Sequence, residues 1–311
     1  MQTDYSIVIP VYYNQGSLWP TYKSILNNVI QKHGTKTYEI IFIDDGSKDN
    51  SLNELLEIRE SNFKNVKVVK LSRNFGQPFA RLAGYSHAIG NCCVHIAADM
   101  QDPVELINTM LNEYFHNKTD IIIAVRTNRN DSFFSSFTSK LFYSLMQKLC
   151  FPDMPIGGFD FHCISSRVKD IIVNSKETNP FVQGQILWTG YKIKKLFYER
   201  RKREIGSSKW TIKKKIKLLL DGILNYSYFP LRLMSIAGML VAFSGFIYAI
   251  WIFIRALLGQ SVTEGWAPLM IIILILSGIQ MVMLGIIGEY LWRTLDLVRN
   301  RDPYVIDKVY D

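Results

Sequence analysis

Two stretches of this chain carry no charged residue over lengths that a soluble fold seldom needs: 233–254, between Arg232 and Arg255, and 265–288, between Glu264 and Glu289. As helices each would extend roughly 30 Å or more, enough to cross the hydrocarbon core of a bilayer. A pair of buried core helices is the alternative, and both runs exceed the length at which that reading holds. The connector 256–264 is short and contains Gly259 and Gln260 ahead of Ser261, Thr263 and Glu264, so an antiparallel hairpin is expected.

The charges set the orientation. Lys and Arg exceed Asp and Glu by 36 to 27, a formal net charge of +9. Twelve of these cations lie between Lys192 and Lys217, just ahead of the first span, and Arg293, Arg299, Arg301 and Lys308 follow the second. The connector has only Arg255. By the positive-inside rule both termini face the cytoplasm of a multi-pass protein in the plasma (inner) membrane. The chain opens on Asp4 and a strand-like run rather than on a basic region followed by an apolar one, so the part ahead of the spans is expected to stay inside. Cys92, Cys93, Cys150 and Cys163 show no C-x-x-C spacing and read as reduced, buried or partly buried thiols. A composition 48% hydrophobic and 20% charged excludes a disordered chain.

Ahead of the hairpin, β-branched runs at 5–10, 39–43, 66–71, 93–97 and 121–125 alternate with helical patterns. That series predicts an α/β fold with a mainly parallel sheet, whose ligands bind at the carboxyl ends of the strands. Acidic groups follow two of those strands, in Asp44-Asp45-Gly46-Ser47 and in Asp99-Met100-Gln101-Asp102-Pro103. Such clusters suit a carboxylate that accepts from a ribose or base, or a hard oxygen site for Mg²⁺ or Mn²⁺ carrying a diphosphate. Ordinary turn and N-cap chemistry is the competing reading. No G-x-G-x-x-G or P-loop lysine motif follows any strand, and His33, His87, His95, His116 and His162 lack zinc-ligand spacing.

The succession Ile9-Pro10-Val11-Tyr12, Ile43-Asp44-Asp45-Gly46-Ser47, Leu71-Ser72-Arg73-Asn74-Phe75-Gly76, Asp99-Met100-Gln101-Asp102-Pro103 and Gly158-Phe159-Asp160-Phe161, followed by a basic stretch and two spans, resembles the family 2 glycosyltransferases. Within them it is similar to the bacterial polyprenyl-phosphate glycosyltransferases related to dolichyl-phosphate mannose synthase. The resemblance implies a nucleotide-sugar-binding domain of the glycosyltransferase A type at 1–209, an interfacial amphipathic helix at 210–230, a transmembrane hairpin at 231–292 and a cytoplasmic tail at 293–311.

The same resemblance implies site residues. Pro10, Tyr12, Asn14, Ile43 and Asp45 would surround the nucleotide, Asp99 and Gln101 would meet the metal, and Arg126 would bind substrate. Arg203 and Lys209 would close over the diphosphate, and Asp160, with Asp99, would be catalytic. Ala97 stands where the family usually has the first Asp of Asp-x-Asp, Asn14 and Gln15 stand where an acid commonly follows the first strand, and His162 stands where an Arg is common.

The implied reaction moves a sugar from a UDP-sugar to undecaprenyl phosphate, with inversion and with Mg²⁺ or Mn²⁺. Two rivals remain at this point: a processive polysaccharide synthase, whose Q-x-x-R-W motif is incomplete in Gln185-Ile186-Leu187-Trp188, and a non-catalytic membrane protein that binds lipid phosphate.

Partner expectations follow from charge placement. Trp210, Ile212, Ile216, Leu219, Leu220, Ile223 and Leu224 recur at helical spacing beside Lys213, Lys214, Lys215 and Lys217, a pattern for membrane lipid. A second apolar helix face is expected within 133–149. No nucleic-acid module accompanies the basic stretch. Small residues Ser277, Gly278, Gly285 and Gly288 would permit a homo-oligomer packed through the spans.

Overall fold

The computed structural model describes residues 3–127, 142–175, 177–201, 221–258 and 265–311. They divide into two compact units, Met1–Asp221 with Asp302–Asp311, and Gly222–Arg301.

The first unit runs β1 (Tyr5–Val11), α1 (Leu18–Ile25), β2 (Tyr38–Asp44), α2 (Ser51–Ser61), β3 (Val66–Leu71), α3 (Gln77–His87), β4 (Cys92–His95), α4 (Leu106–Asn117), β5 (Ile121–Arg126), β6 (His162–Ser165), α5 (Ser166–Asn174), α6 (Val182–Trp188) and β7 (Ile193–Tyr198). Strands β1, β2 and β5 are apolar runs buried almost throughout, the pattern of strands covered on both faces by helices. The strands expected from the sequence form where the β-branched runs lie. The helix between β4 and β5 begins at Leu106, three residues after Pro103.

The eight strands of the described residues share one sheet in the order β7-β5-β6-β4-β1-β2-β3-β8, where β8 is Ile306–Tyr310. β1 pairs in parallel with both β2 and β4. The chain therefore travels outward from β1 through β2 and β3 and then returns to β1's other side, which makes the gap beyond the carboxyl ends of β1 and β4 a topological switch point. β6 is antiparallel to β4 and to β5, so the sheet is mixed beyond β4.

β8 lies in the stretch expected as a tail. It covers the edge of β3, with Val69 opposite Val309 and Leu71 opposite Ile306, and Lys70 pairs with Asp307 at 2.5 Å and Lys67 with Asp311 at 3.1 Å. The Ser72 N–H donates to the Val305 carbonyl at 3.0 Å, immediately before the loop 72–76 that enters the site below. Removing residues 303–311 would bare this edge. At about 1 kcal/mol for each of roughly three ladder hydrogen bonds, the loss is about 3 kcal/mol. Thermal melting of the purified protein should show a drop of roughly 6–12 °C in a unit of this size; an unchanged melting temperature would mean that the strand is dispensable.

The second unit holds α7 (Phe229–Leu257) and α8 (Trp266–Val298), of 29 and 33 residues. At 1.5 Å per residue they are about 44 and 50 Å long. Within them Phe229–Arg255 and Ile271–Val298 are long and apolar enough to cross a membrane. Their large side chains, Phe243, Phe246, Leu284 and Leu291 among them, are exposed, as lipid-facing residues are. Arg293 donates to Asn225 and Glu289, both at 3.0 Å. The amphipathic pattern at 210–224 lies mostly outside the described residues; of the stretch 133–149, residues 142–149 are helical.

Candidate active site

The loops that leave β1, β2, β3 and β4 meet at the switch point, and hydrogen bonds join them. The N–H of Tyr13, a residue at φ 55°, donates to Ser47 Oγ (3.1 Å), the Asn14 N–H to Ser51 Oγ (3.0 Å), and the Gly16 N–H to Glu54 Oε2 (2.8 Å). The Asn14 side chain turns back to accept from the Tyr12 N–H at 2.9 Å. Ser17 Oγ donates to the Ala98 carbonyl (2.9 Å) and so ties the first loop to the end of β4.

Asp45 is the centre of this half. Its carboxylate accepts from the Phe75 N–H (2.7 Å), the Gly76 N–H (2.9 Å) and Asn74 Nδ2 (2.9 Å). Burial pushes its pKa up to about 6, against the pull of those two backbone donors. Gly46 makes the approach possible: at φ 69°, a Cβ there would stand 2.5 Å from the Arg73 carbonyl carbon, where only glycine fits. Pro10 and Tyr12 are half-buried at the rim, opposite or beyond Ile43 and Asp44 in the β1–β2 register. Ile43 has no exposed surface and packs towards Gly84 of α3, so its side chain is part of the core rather than of a cavity wall.

The second half is a chain of charges along β5, β7 and the β4–α4 loop. Asp99 accepts from the Gln101 N–H at 3.2 Å across Met100, whose φ of 56° is the left-handed turn that brings them together. Arg200 stands 3.8 Å from Asp99 Oδ2 and 3.4 Å from Asp102 Oδ1. The Tyr198 hydroxyl donates to the same Asp102 oxygen at 2.6 Å, and Arg126 Nε donates to the Tyr198 oxygen at 3.2 Å. Burial pushes the Asp102 carboxyl up, while Arg126 and Arg200 pull it back. Gln101 is bound to Arg201 through both its carbonyl (2.9 Å) and its side-chain amide (3.4 Å). Arg203 and Lys209 lie outside the described residues.

Arg126 connects this chain to Asp160, at 3.4 Å from Oδ2; Arg81 of α3 lies 3.1 Å from Oδ1. Asp160 follows the turn Gly157-Gly158, where Gly158 has φ 67° and a Cβ would run into the hydroxyl end of Tyr143. Burial alone would raise the Asp160 pKa, but the two guanidinium groups reverse it and hold the carboxyl well below the usual range. Its side chain keeps 36% exposure, so a substrate can reach it. The N-cap of α5 is Ser165, which leaves Asp160 free of a capping role.

Beneath Asp160, His162 and His95 are stacked across β6 and β4, with ring centroids 5.2 Å apart and planes within 5°. Both are fully buried. His162 bonds the Tyr85 hydroxyl (2.6 Å) and the Asp160 carbonyl (2.7 Å). Burial and then Arg81 push its pKa down to about 3, so it is neutral where the resemblance expects an arginine.

The structure thus brings Asp45 to one side of the switch point and Asp99, Gln101, Arg126 and Asp160 to the other. Sequence reasoning missed Arg81, Tyr198, Arg200 and Gln183, all in direct contact with the acids. Among the described residues no group of three or more His, Cys, Asp or Glu side chains could hold a metal ion alone. The donor set is one reachable carboxylate, Asp99, with Asp102 buried behind it and bound to Tyr198 and Arg200. That set fits an ion of the Mg²⁺ type, which takes one or two carboxylates plus phosphate oxygens from substrate, and not an all-protein cage.

Residues 6–170 match Glycosyl transferase family 2, and residues 229–293 match the GtrB C-terminal hairpin. The chain is 38% identical to the glycosyltransferase YkcC of Bacillus subtilis (strain 168), over 98% of this chain and 94% of that one. It is 32% identical to the prophage bactoprenol glucosyl transferase homolog of Escherichia coli (strain K12), over 98% of each. With the bactoprenol glucosyl transferase of Shigella phage SfII the identity is 33%, over 97% of each. Acids and cations gathered at the strand ends of an A-type α/β sheet, a matching hairpin behind them and relatives alike from end to end make this chain a glycosyltransferase, a member of glycosyl transferase family 2.

Proposed function

We propose that this enzyme transfers a sugar from a nucleotide sugar, a UDP-sugar in the first instance, to undecaprenyl phosphate at the cytoplasmic face of the plasma membrane. The observation that carries the reading is the pairing of Asp99 and Asp160 sites at the strand ends with two membrane-length apolar helices on one chain. A lipid-linked acceptor needs both. The relatives named bactoprenol glucosyl transferase support the same acceptor class.

In this reading Asp45, Tyr12 and Asn14 line the nucleotide, and Asp99, assisted by Gln101, meets a Mg²⁺ or Mn²⁺ ion on the diphosphate. Such an ion supplies charge neutralisation of the leaving group. The acceptor phosphate oxygen attacks the anomeric carbon from the face opposite the diphosphate; the new C–O bond forms as the bond to the diphosphate breaks, and the nucleoside diphosphate leaves with inversion. A phosphate monoester has its second pKa near about 6 and is already anionic, so no base need remove a proton. Asp160 matches that requirement: held ionised by Arg81 and Arg126, it is a poor base and a good fixed acceptor for sugar hydroxyls. In this reading Arg126 binds anionic substrate, and Arg203 and Lys209, as the family resemblance implies, close over the diphosphate.

The return of the chain into β8 supports a hairpin with both ends on the catalytic side, and the basic excess at 192–217 supports that side being cytoplasmic. Labelled UDP- and GDP-sugars should be offered, with undecaprenyl phosphate, to membranes containing the protein. A labelled lipid monophosphate sugar that disappears with EDTA is the expected product. Label in a long polymer would replace this reading with a processive synthase, and no turnover with any donor would replace it with a lipid-binding role.

A further inference from the structure

A guanidinium taken out of water costs several kcal/mol unless an anion meets it. Arg81, on α3, is 4% exposed, and its acidic partner among the described residues is Asp160. The Asp160 carboxylate is held from three elements. Oδ1 accepts from Arg81 at 3.1 Å and from Gln183 Nε2 of α6 at 3.2 Å, and Oδ2 faces Arg126 of β5 at 3.4 Å. The nearer cation is therefore Arg81. The other titratable neighbours add no positive charge: His162 of β6 and His95 of β4 are kept neutral by burial, and Tyr85 of α3 stays protonated.

We propose that Arg81 is a positioning residue for the transfer reaction, which together with Gln183 fixes the plane and the ionised state of Asp160 from below, on the face away from substrate. The proposal rests on the functional reading above in that it gives Asp160 a role in turnover. It assigns work to two residues outside every motif. Arg126, at the longer distance of 3.4 Å from Asp160 and with 17% of its side chain exposed, can meet substrate as well as the carboxylate. The geometry also separates this role from simple bracing. A brace between α3 and β6 would affect the fold as a whole, whereas a carboxylate clamp acts on the orientation and protonation of one group.

The test compares Arg81→Met and Arg81→Lys with the wild-type protein in membranes, with labelled lipid product followed from pH 5 to 9 and melting temperature recorded alongside. Loss of the clamp should lower kcat about 10–100-fold, the size expected when a reacting group is misplaced. KM for the nucleotide sugar should stay within about threefold, because the nucleotide half of the site is untouched. Between pH 5 and 9 the acid limb belongs to the acceptor phosphate and Asp45, which titrate near about pH 6, so the loss of kcat should be of similar size across the range. Arg81→Lys, which keeps the charge, should recover part of kcat with KM unchanged. Were Arg81→Met to fold poorly, Gln183→Leu, which removes the second donor to Asp160 Oδ1, would decide by the same split of kcat from KM. An Arg81→Met or Gln183→Leu enzyme with wild-type kcat, or variants whose kcat falls only in step with melting temperature, would overturn the proposal. A wild-type protein that makes no lipid-linked sugar would instead overturn the functional reading, so the two failures are told apart.

Discussion

Asp99→Asn should lower turnover by about 100-fold or more, equivalent to about 2.7 kcal/mol of transition-state stabilisation. The substitution is close to isosteric, and its carbonyl oxygen can still accept from the Gln101 N–H, so the loop turn at Met100 survives. What is lost is the negative charge. Ala97 provides no second carboxylate, and Asp102 is 1% exposed and already bound by Tyr198 and Arg200. In the proposed reading, an ion on the diphosphate therefore finds no second carboxylate beside Asp99 among the described residues. The concentration of Mg²⁺ or Mn²⁺ needed for half-maximal rate should rise in the variant while melting temperature stays near that of the wild type. A variant with full turnover and an unchanged metal requirement would remove Asp99 from the site, and attention would pass to Asp102.

Legibility from sequence followed the range of the interactions. The strands β1, β2, β3 and β5, of six or seven residues, are rich in β-branched side chains, and a local pattern marks them whatever their partners. β6 and β8, of four and five residues, are too short to carry a period; what makes them strands is pairing with β4 and β3. The site divides in the same way. Asp45, Asp99 and Asp160 lie in strand-end strings that could be read locally. Arg81 could not, because its partner is 79 residues away and its own neighbours form an ordinary apolar helix face. Arg200 was visible as part of the basic excess, which the sequence assigned to phosphates and lipid headgroups. In the fold its nearest charges are Asp99 and Asp102, so part of that excess is spent on the protein's own acids. Ile43 shows the converse: a motif residue whose side chain the fold commits to packing.

The stacked histidines should make the protein acid-labile well above the pH at which ordinary carboxylates titrate. His162 is held neutral with a pKa near about 3, and His95 is pushed down in the same direction by burial, then by Arg81. In the unfolded chain both take up a proton near about pH 6.5. Between those limits the unfolded state binds more protons than the folded one, so stability falls as pH falls, by about 1.4 kcal/mol per pH unit for each histidine. Asp45 works the other way between about pH 6 and pH 4, because its folded pKa is raised and protonation favours the folded state, and Asp44 and Asp102, raised by burial, act in the same direction, so the buried acids offset part of the histidine effect. Asp160, whose folded pKa is depressed, contributes stability that is present above about pH 4 and lost only below it. Histidines and buried acids thus oppose one another between about pH 6.5 and 5, and a substitution at one histidine separates its share. His95→Phe isolates the effect, because neither His95 ring nitrogen has a hydrogen-bond partner among the described residues and the flat ring can keep its stack on His162. At pH 5 the variant should be more stable than the wild type by about 2 kcal/mol, a difference that shrinks to the packing change alone above about pH 7.5. Melting curves recorded from pH 5 to 8 would decide: convergence of the two proteins at high pH supports a buried neutral pair, and parallel curves would mean that His95 does not titrate on unfolding as the structure requires.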